Sequence, residues 1–509
     1  MTWWHDAVFY QIYPRSFLDT DGDGVGDLGG ILKKMPYLAW LGVDALWITP
    51  IYPSPMRDFS YDISDYCDVD PLFGTLDDFD QIIAKAHEAG IHVILDWVPN
   101  HTSSDHPWFQ EARSSRTNPK RDWYVWKEPT SDGKLPNNWL RSWSDQPAWT
   151  LDDETGQFYL HCFLPEQPDL NWANIDVRDA MAETLRFWLR RGIDGFRMDV
   201  VHLIGKDPAM PDDPEDLVAI GHVPLNDRPE AHVYLKGIRK VLEEFDGERT
   251  SVGEVYLLDP EVVATYYGQA DELHMSFNFA SLFTPWRAAS WVETITRTES
   301  SHNAVGAWPT WTLSNHDNKR IASRLDGDPM KTRSAAILVL TLRGTPFLYA
   351  GEELGLEDAI IPPERVVDPG LRDPCRAPLP WTNERLHGWP SDPWLPFAER
   401  PNDFSVETQE HDSASMLNFV RSLLSIRKAS TALRQGSLNE LRDDNGVLHY
   451  RRESSDEVVD VYINFAKEPR PITFLPGSTL LLSSSGVKVP ASGQLLLVPG
   501  DSVIVRVSP

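Results

Sequence analysis

The sequence predicts an α/β fold: a (β/α)8 TIM barrel with an inserted loop-rich domain after strand 3 and a C-terminal antiparallel β domain. Three observations support this prediction. Short apolar runs alternate with segments of helical periodicity through most of the chain, as in βαβ units around a parallel sheet. One long segment, Thr102–Trp172, interrupts the alternation. From about Gly436 the pattern changes to short β-type runs separated by Gly, Pro and Asn.

The candidate barrel strands are eight short apolar runs, a number that suggests a closed barrel. In chain order they are Val8–Tyr13, Ala45–Ile48, His92–Leu95, Gly195–Val200, Ser251–Gly253, His274–Phe277, Trp311–Ser314 and Phe347–Tyr349. Between them, Leu76–Ala89 and Val177–Arg191 carry apolar residues three and four positions apart. This spacing predicts amphipathic outer helices.

We predict four consecutive parts in the chain. Residues 1–101 form the first part of the barrel, 102–172 the inserted domain B, 173–430 the second part of the barrel, and 431–509 the C-terminal β domain. The insertion is rich in Trp, Pro, Asp and Asn, and so long an irregular segment inside a compact barrel is normally functional. The helix-like segment Ser413–Lys428 precedes the C-terminal domain.

The charge balance excludes some classes of partner. The formal net charge is −29, from 47 Lys and Arg against 76 Asp and Glu. Such a chain repels phosphate backbones and anionic lipid, so we expect neither nucleic-acid nor membrane binding. Neutral substrates and metal cations fit better, although an acidic surface also serves solubility alone.

The N-terminal segment, the apolar stretches and the cysteines indicate the cellular compartment. The N-terminal segment has no basic region followed by an apolar core, so we predict no signal peptide. No apolar stretch approaches the ~20 residues that a membrane span requires. Cys67, Cys162 and Cys375 are odd in number and widely spaced, which predicts free thiols. We expect a cytoplasmic protein, a monomer or small homo-oligomer, without an organic cofactor.

Polar clusters follow several predicted strands directly. Asp199, Glu254 and Asp317 each come just past an apolar run, and Arg197 lies two residues before Asp199. In a barrel the carboxyl ends of the strands face the active site, so these residues would meet. Retaining glycoside hydrolysis needs one carboxylate to attack and one carboxyl to protonate the leaving oxygen. Taken singly, each acid could equally cap a helix or form an ion pair.

The ordered motifs resemble the α-amylase superfamily of glycoside hydrolases, and within it the α-glucosidase and oligo-1,6-glucosidase branch. The matching segments are DWVPNH at 96–101, QPDLNW at 167–172, GFRMDV at 195–200, GEV at 253–255 and SNHD at 314–317. The resemblance implies that Asp199 is the nucleophile and Glu254 the general acid/base. It also implies that Asp317 is a third acid, which binds the 2-OH and 3-OH of the sugar.

The resemblance further implies a set of substrate-binding residues. His101 and His316 would donate hydrogen bonds to the glucose in the −1 subsite, Tyr61 would stack beneath it, and Asp58 with Arg376 would bracket its outer hydroxyls and close the pocket. A surface ion pair between Asp58 and Arg376 is the alternative. The remaining candidates are Phe163, Arg197 and Val200, of which Val200 would border the leaving group.

The segment DTDGDGVGD at 19–27 alternates carboxylates with glycines, which suits a hard cation. It is not an EF-hand, because the twelfth position from Asp19 is Gly30 rather than Glu. By resemblance it holds one structural Ca²⁺ or Mg²⁺ through Asp19, Asp21, Asp23, the Val25 carbonyl and Asp27. A solvated acidic turn is the alternative.

The sequence thus predicts an exo-acting retaining α-glucosidase that releases α-glucose from short α-glucosides such as maltose, with possible transglucosylation. Three alternatives stay open: an oligo-1,6-glucosidase, a sucrose- or trehalose-handling glucosyl transferase, and a non-catalytic relative, which typically lacks the catalytic acids. The residues after Asp199 give conflicting indications of linkage preference. Val200 matches relatives that prefer α-1,6 bonds, whereas the following HLIGKDP at 202–208 resembles α-glucosidases that act on maltose.

Overall fold

A computed structural model describes residues 2–215, 225–475, 477–487 and 493–507. In chain order, the strands up to the last one of the barrel are β1 Phe9–Ile12, β2 Ala45–Ile48, β3 His92–Trp97, β4 Trp126–Lys127, β5 Trp149–Asp152, β6 Gln157–Leu160, β7 Gly195–Met198, β8 Thr250–Gly253, β9 Met275–Ser276, β10 Thr310–Thr312 and β11 Thr345–Tyr349. The strands after the barrel are β12 Ser437–Asp444, β13 Val447–Glu453, β14 Val458–Asn464, β15 Arg470–Thr473, β16 Thr479–Ser483, β17 Gln494–Leu497 and β18 Ser502–Arg506.

The helices surround and follow the barrel strands. They are α1 Trp3–Asp6, α2 Leu28–Leu41, α3 Leu76–Glu88, α4 Pro107–Ser114, α5 Ile175–Arg191, α6 Pro229–Glu243, α7 Pro260–Thr265, α8 Ala280–Phe283, α9 Ala288–Ala304, α10 Ile321–Arg324, α11 Pro329–Thr341, α12 Val406–His411, α13 Met416–Ala429 and α14 Thr431–Gln435. In the part of the chain that the structure describes, no helix is long and apolar enough to cross a bilayer.

The barrel prediction is confirmed. Within the described residues, one eight-stranded sheet has the order β10-β11-β1-β2-β3-β7-β8-β9, and every pair in it is parallel. The outer strands β9 and β10 have no ladder between them in these residues. A side chain closes this seam instead: the Thr310 hydroxyl donates to the Ser276 carbonyl at 2.8 Å and accepts from the Asn278 amide at 3.1 Å.

Local sequence explains where the outer helices begin and end. Helix α3 starts with a capping box, in which Thr75 and Asp78 satisfy each other's backbone amides. Helix α5 starts at the Asn174 cap and ends at Gly192, whose φ of 105° suits a residue without a Cβ. Phe79 and Trp188 are fully buried and pack edge to face at 5.3 Å. This contact joins α3 to α5 on the outside of the barrel.

The insertion and the C-terminal region form separate sheets. Strands β4, β6 and β5 make a three-stranded antiparallel sheet after β3, and the eight-residue helix α4 precedes it. The C-terminal strands form a five-stranded antiparallel sheet, β12-β13-β14-β18-β16, and a two-stranded one, β15-β17. The predicted domain limits at 101/102, 172/173 and 430/431 stay predictions.

Candidate active site

The acids of the candidate site lie where neighbouring barrel strands end. The Asp199 amide donates to the Trp97 carbonyl at 2.9 Å and so continues the pairing of β7 with β3. The Glu254 amide donates to the Met198 carbonyl at 2.8 Å, which continues the pairing of β8 with β7. Because the backbone fixes both residues at one rim of the barrel, their carboxyl groups point into the same space.

Arg197 joins three carboxyl groups at this rim. Its Nη1 donates to Asp96 Oδ1 at 2.8 Å and to Asp199 Oδ1 at 2.7 Å, while its Nη2 donates to Glu254 Oε2. All four residues are buried, and Arg197 itself is 2% exposed. One guanidinium therefore donates hydrogen bonds to three carboxyl groups in a buried site.

This shared arginine changes the expected ionisation of the nucleophile candidate. Burial raises the pKa of Asp199 well above its usual range; Arg197 opposes this shift, and the charges of Glu254 and Asp96 add to it. Burial also raises the pKa of Asp96 to about 6. One positive charge shared among three carboxyl groups offsets the effect of burial only in part.

Asp317 has the opposite environment. Its Oδ1 accepts from Arg372 Nη1 at 3.1 Å and from Arg376 Nη2 at 2.8 Å, and its Oδ2 lies 3.2 Å from His316 Nε2. Burial alone would raise the pKa of Asp317, but the positive charges of Arg372 and Arg376 lower it below its ordinary value. The Asp317 side chain is 27% exposed, so its carboxylate stays ionised and accessible.

Tyr61 and His316 form a stacked pair on the floor of the site. Their rings lie 5.4 Å apart at an interplanar angle of 9°, and the Tyr61 hydroxyl is 2.6 Å from His316 Nε2. Gln11 binds the other ring nitrogen at 2.7 Å. Burial holds the pKa of His316 well below its usual value, so its imidazole is neutral. Gln11 was not predicted, because it lies inside strand β1 with no flanking motif.

The structure does not pair Asp58 with Arg376, so the ion-pair alternative is wrong, and the predicted binding of the outer hydroxyls by these two residues stays a prediction. Asp58 Oδ1 accepts from Arg372 Nη2 at 2.5 Å, whereas Arg376 binds Asp317 and the His316 carbonyl. Both arginines belong to the same RDPCR segment, and Arg372 comes one short helical turn before Arg376. That spacing signals two candidates, but only the folded chain decides which of them reaches Asp58.

His101 is linked to the same corner of the site by a glutamine. Gln167 Nε2 lies 3.0 Å from Asp58 Oδ2 and 3.1 Å from His101 Nε2. Burial lowers the pKa of His101 to about 4, so this imidazole is also neutral at neutral pH. Gln167 opens the QPDLNW motif, which was quoted for the resemblance without assigning this residue a role.

Phe163 and Val200 form an apolar wall beside the acids. The Phe163 ring lies 5.1 Å from that of His101, and both Phe163 and Val200 belong to the buried apolar cluster of the insertion. Val200 directly follows Asp199 and has φ 34°, ψ 43°. A β-branched residue in the left-handed region is strained, and such strain concentrates at functional sites.

Comparisons with known proteins agree with this geometry. Residues 11–436 match the model of the α-amylase catalytic domain. The chain belongs to the α-amylase family. It is 41% identical to a probable α-glucosidase of Rhizobium meliloti, over 92% of this chain and 90% of that one. It is 36% identical to the oligo-1,6-glucosidase of Parageobacillus thermoglucosidasius, over 93% and 92%. An α-glucosyl transfer enzyme of known structure covers 100% of both chains with a TM-score of 0.93 and 39% identity.

One lysine joins two motif segments of this α-amylase family member to the loop that follows Asp199. Lys206 Nζ lies 2.6 Å from Asp169 Oδ2, 2.8 Å from Asn100 Oδ1 and 2.7 Å from the Leu203 carbonyl. Its side chain is 6% exposed. Lys206 was assigned no role from the sequence, because its partners come from distant segments. It fixes the insertion to the loop that follows Asp199.

The acidic loop before α2 brings only part of its predicted ligand set together. Carboxylate oxygens of Asp19, Asp21 and Asp27 lie within 4.8 Å of one another, which suits the oxygen coordination of a hard cation. Asp23 is not in this group, and its carboxylate accepts from the Val25 amide at 2.7 Å. Ligation by Asp23 and by the Val25 carbonyl stays a prediction.

Proposed function

We propose that this protein is an exo-acting retaining α-glucosidase that releases α-glucose from the non-reducing end of short α-glucosides. The observation that carries the proposal is the placement of Asp199 and Glu254 at adjacent strand ends, with both carboxyl groups bound to Arg197. Retention requires such a neighbouring pair of carboxyl groups. The similarity to an α-glucosidase and an oligo-1,6-glucosidase supports the same activity.

In this proposal Glu254 is the general acid, because its carboxyl group lies beside that of Asp199 on the same arginine. Glu254 donates a proton to the glycosidic oxygen while Asp199 attacks the anomeric carbon, so a glucosyl ester forms as the leaving group departs. Glu254 then takes a proton from water, which attacks the ester from the same face as the departed group. The released glucose keeps the α configuration.

Asp317 and the neutral histidines bind the glucose rather than move protons. Asp317 is ionised and partly exposed, so its oxygens accept hydrogen bonds from sugar hydroxyls. The pair of Asp58 with Arg372 supports exo action, since both side chains are buried and close the pocket beyond the outer hydroxyls. This closure would exclude a longer chain on that side.

We also propose that Asp19, Asp21 and Asp27 hold one structural Ca²⁺ or Mg²⁺ at the start of α2, and that no organic cofactor takes part. The cytoplasmic location and a monomeric or small homo-oligomeric state stay predictions from the sequence. The acidic charge supports a neutral sugar substrate and argues against nucleic-acid partners.

A glucosyl transferase is the second candidate, favoured by the α-glucosyl transfer enzyme that covers the whole chain at 39% identity. It would use the same acids, and an acceptor hydroxyl would replace water in the second step. Product analysis at low and high maltose concentration separates the two. Glucose alone at both concentrations supports hydrolysis, and growing oligosaccharides at high concentration support transfer.

The direct test is to follow the anomer released from maltose by proton NMR. α-Glucose must appear first and then mutarotate, and β-glucose as the first product would rule out retention. Initial rates on maltose, isomaltose, sucrose, trehalose and starch then define the substrate class. Starch should be the poorest of the five, because exo action on short chains is expected.

A further inference from the structure

An exposed tryptophan of the insertion lies against the pocket-closing arginine. The Trp143 ring is 4.3 Å from the Arg372 guanidinium carbon and 5.3 Å from the Phe163 ring. Trp143 is nevertheless 47% exposed, and its φ of 60° is left-handed. A large aromatic residue that is both exposed and strained is unusual in a soluble protein, so its position calls for a functional explanation.

The edges of the Arg372 guanidinium are already occupied. Its Nε and Nη2 donate to Asp368 at 2.9 and 2.6 Å, its Nη1 donates to Asp317, and its Nη2 also donates to Asp58. Asp368 is fully buried and holds the arginine from behind. The face of the planar cation remains, and the Trp143 ring covers it. An aromatic ring attracts a cation held over its face and shields the cation's hydrogen bonds from water.

Resting on the proposed function, we propose that Trp143 is a specificity-determining positioning residue: it holds Arg372 in the arrangement that binds Asp58 and closes the glucose pocket. Trp143 comes from the insertion and Arg372 from the loop after β11, so their contact spans the two segments that border the site. Recognition of the outer sugar hydroxyls by Asp58 and Arg372 therefore depends on a residue that lies on the surface of the insertion.

The test is a double-mutant cycle of Trp143→Ala and Arg372→Ala, with Trp143→Phe as the conservative variant. Trp143→Ala should raise KM for p-nitrophenyl α-glucoside about three- to tenfold and leave kcat within about twofold, because the chemistry of Asp199 and Glu254 is untouched. Trp143→Phe should restore most of the loss. In the Arg372→Ala background the tryptophan change should have almost no further effect.

Trp40→Ala is the matched control, because Trp40 also lies under an arginine, Arg421, at 4.4 Å on the outer helices α2 and α13. It should leave KM unchanged. An unchanged KM in Trp143→Ala, or equal effects of this change with and without Arg372, overturns the proposal. Calorimetric binding of 1-deoxynojirimycin, a glucose-shaped inhibitor, to the same four proteins of the cycle tests the coupling without turnover. A failure of glucosidase activity in the wild type is thereby distinguished from a failure of the Trp143 proposal.

Discussion

Asp199 combines two demands that a single carboxyl group rarely meets: it is to act as an anion, yet burial and its acidic neighbours favour its protonated form. Asp199→Asn should reduce turnover of maltose to below detection while the protein stays folded. Glu254→Gln should impair maltose more than p-nitrophenyl α-glucoside, because an activated leaving group needs less protonation. Initial rates and circular dichroism check both variants. A tenth of the wild-type rate in Asp199→Asn would exclude it as the nucleophile.

The same carboxyl should destabilise the fold at neutral pH. Because the folded-state pKa of Asp199 is raised, stability is lost as pH rises from the unfolded-state value, near 4, through the folded-state value. Asp199→Asn should therefore raise Tm at pH 7 to 8, and the gain should shrink as pH falls toward 4. Differential scanning calorimetry across this range measures it. A lower Tm of the variant at pH 7 would show that the paired anion stabilises the fold.

Val200 permits a test of linkage choice at the residue after the nucleophile. Val200→Thr keeps the shape of the side chain and adds one hydroxyl at the wall beside the acids. The ratio of maltose to isomaltose hydrolysis should rise roughly two- to tenfold, the effect of one hydrogen bond of about 0.5 to 1.5 kcal/mol. The values of kcat/KM for both disaccharides decide it. An unchanged ratio assigns linkage control to the loop of residues 205–208.

At the scale of elements, the ion pair of Lys206 with Asp169 joins the insertion to the loop that follows Asp199. Lys206→Met would leave the Asp169 carboxylate buried without its cation, which should lower the free energy of unfolding by about 3 to 5 kcal/mol. The insertion should unfold locally before the rest of the protein. Limited proteolysis should then cut residues 102–172 well below the global Tm. Lys127→Met is the control, because the Lys127 ammonium donates to the Pro208 carbonyl at 3.2 Å in an exposed bond. Equal protease resistance of both variants would contradict this role.

The barrel strands were more predictable from sequence than the pairing of side chains between them. Strands of a parallel barrel are apolar on both faces, so each of the eight runs stood out, and the acids at their ends could be assigned to one rim. The partner of Asp58 could not be assigned in this way, because Arg372 and Arg376 lie in one short segment and far from it in the chain. Gln11 lies within a predicted strand and Lys206 within the HLIGKDP segment, but neither pattern indicates the partner of its side chain.

At the scale of the whole molecule, the acidic loop should contribute stability and not chemistry. Removal of divalent cations by EDTA should lower Tm, because a ligand bound only to the folded state stabilises it by mass action. Activity at low temperature should largely survive. Asp21→Asn should reduce the drop in Tm caused by EDTA more than Asp23→Asn does, since of these two residues Asp21 belongs to the oxygen cluster. A folded but inactive metal-free protein would place the cation in the reaction.

We expect the barrel strands to separate most readily at the seam between β9 and β10. Backbone ladders join the other neighbouring strands, whereas in the described residues side-chain hydroxyls such as that of Thr310 join these two. Transient separation there would expose the amides of β9 and β10 to solvent, so they should exchange hydrogen for deuterium sooner than those of β1 or β2. Asp317 follows β10 at the seam, whereas Asp199 follows β7, which is separated from β9 by β8. Opening of the seam would thus move the hydroxyl-binding acid relative to the nucleophile, which would assist the release of glucose.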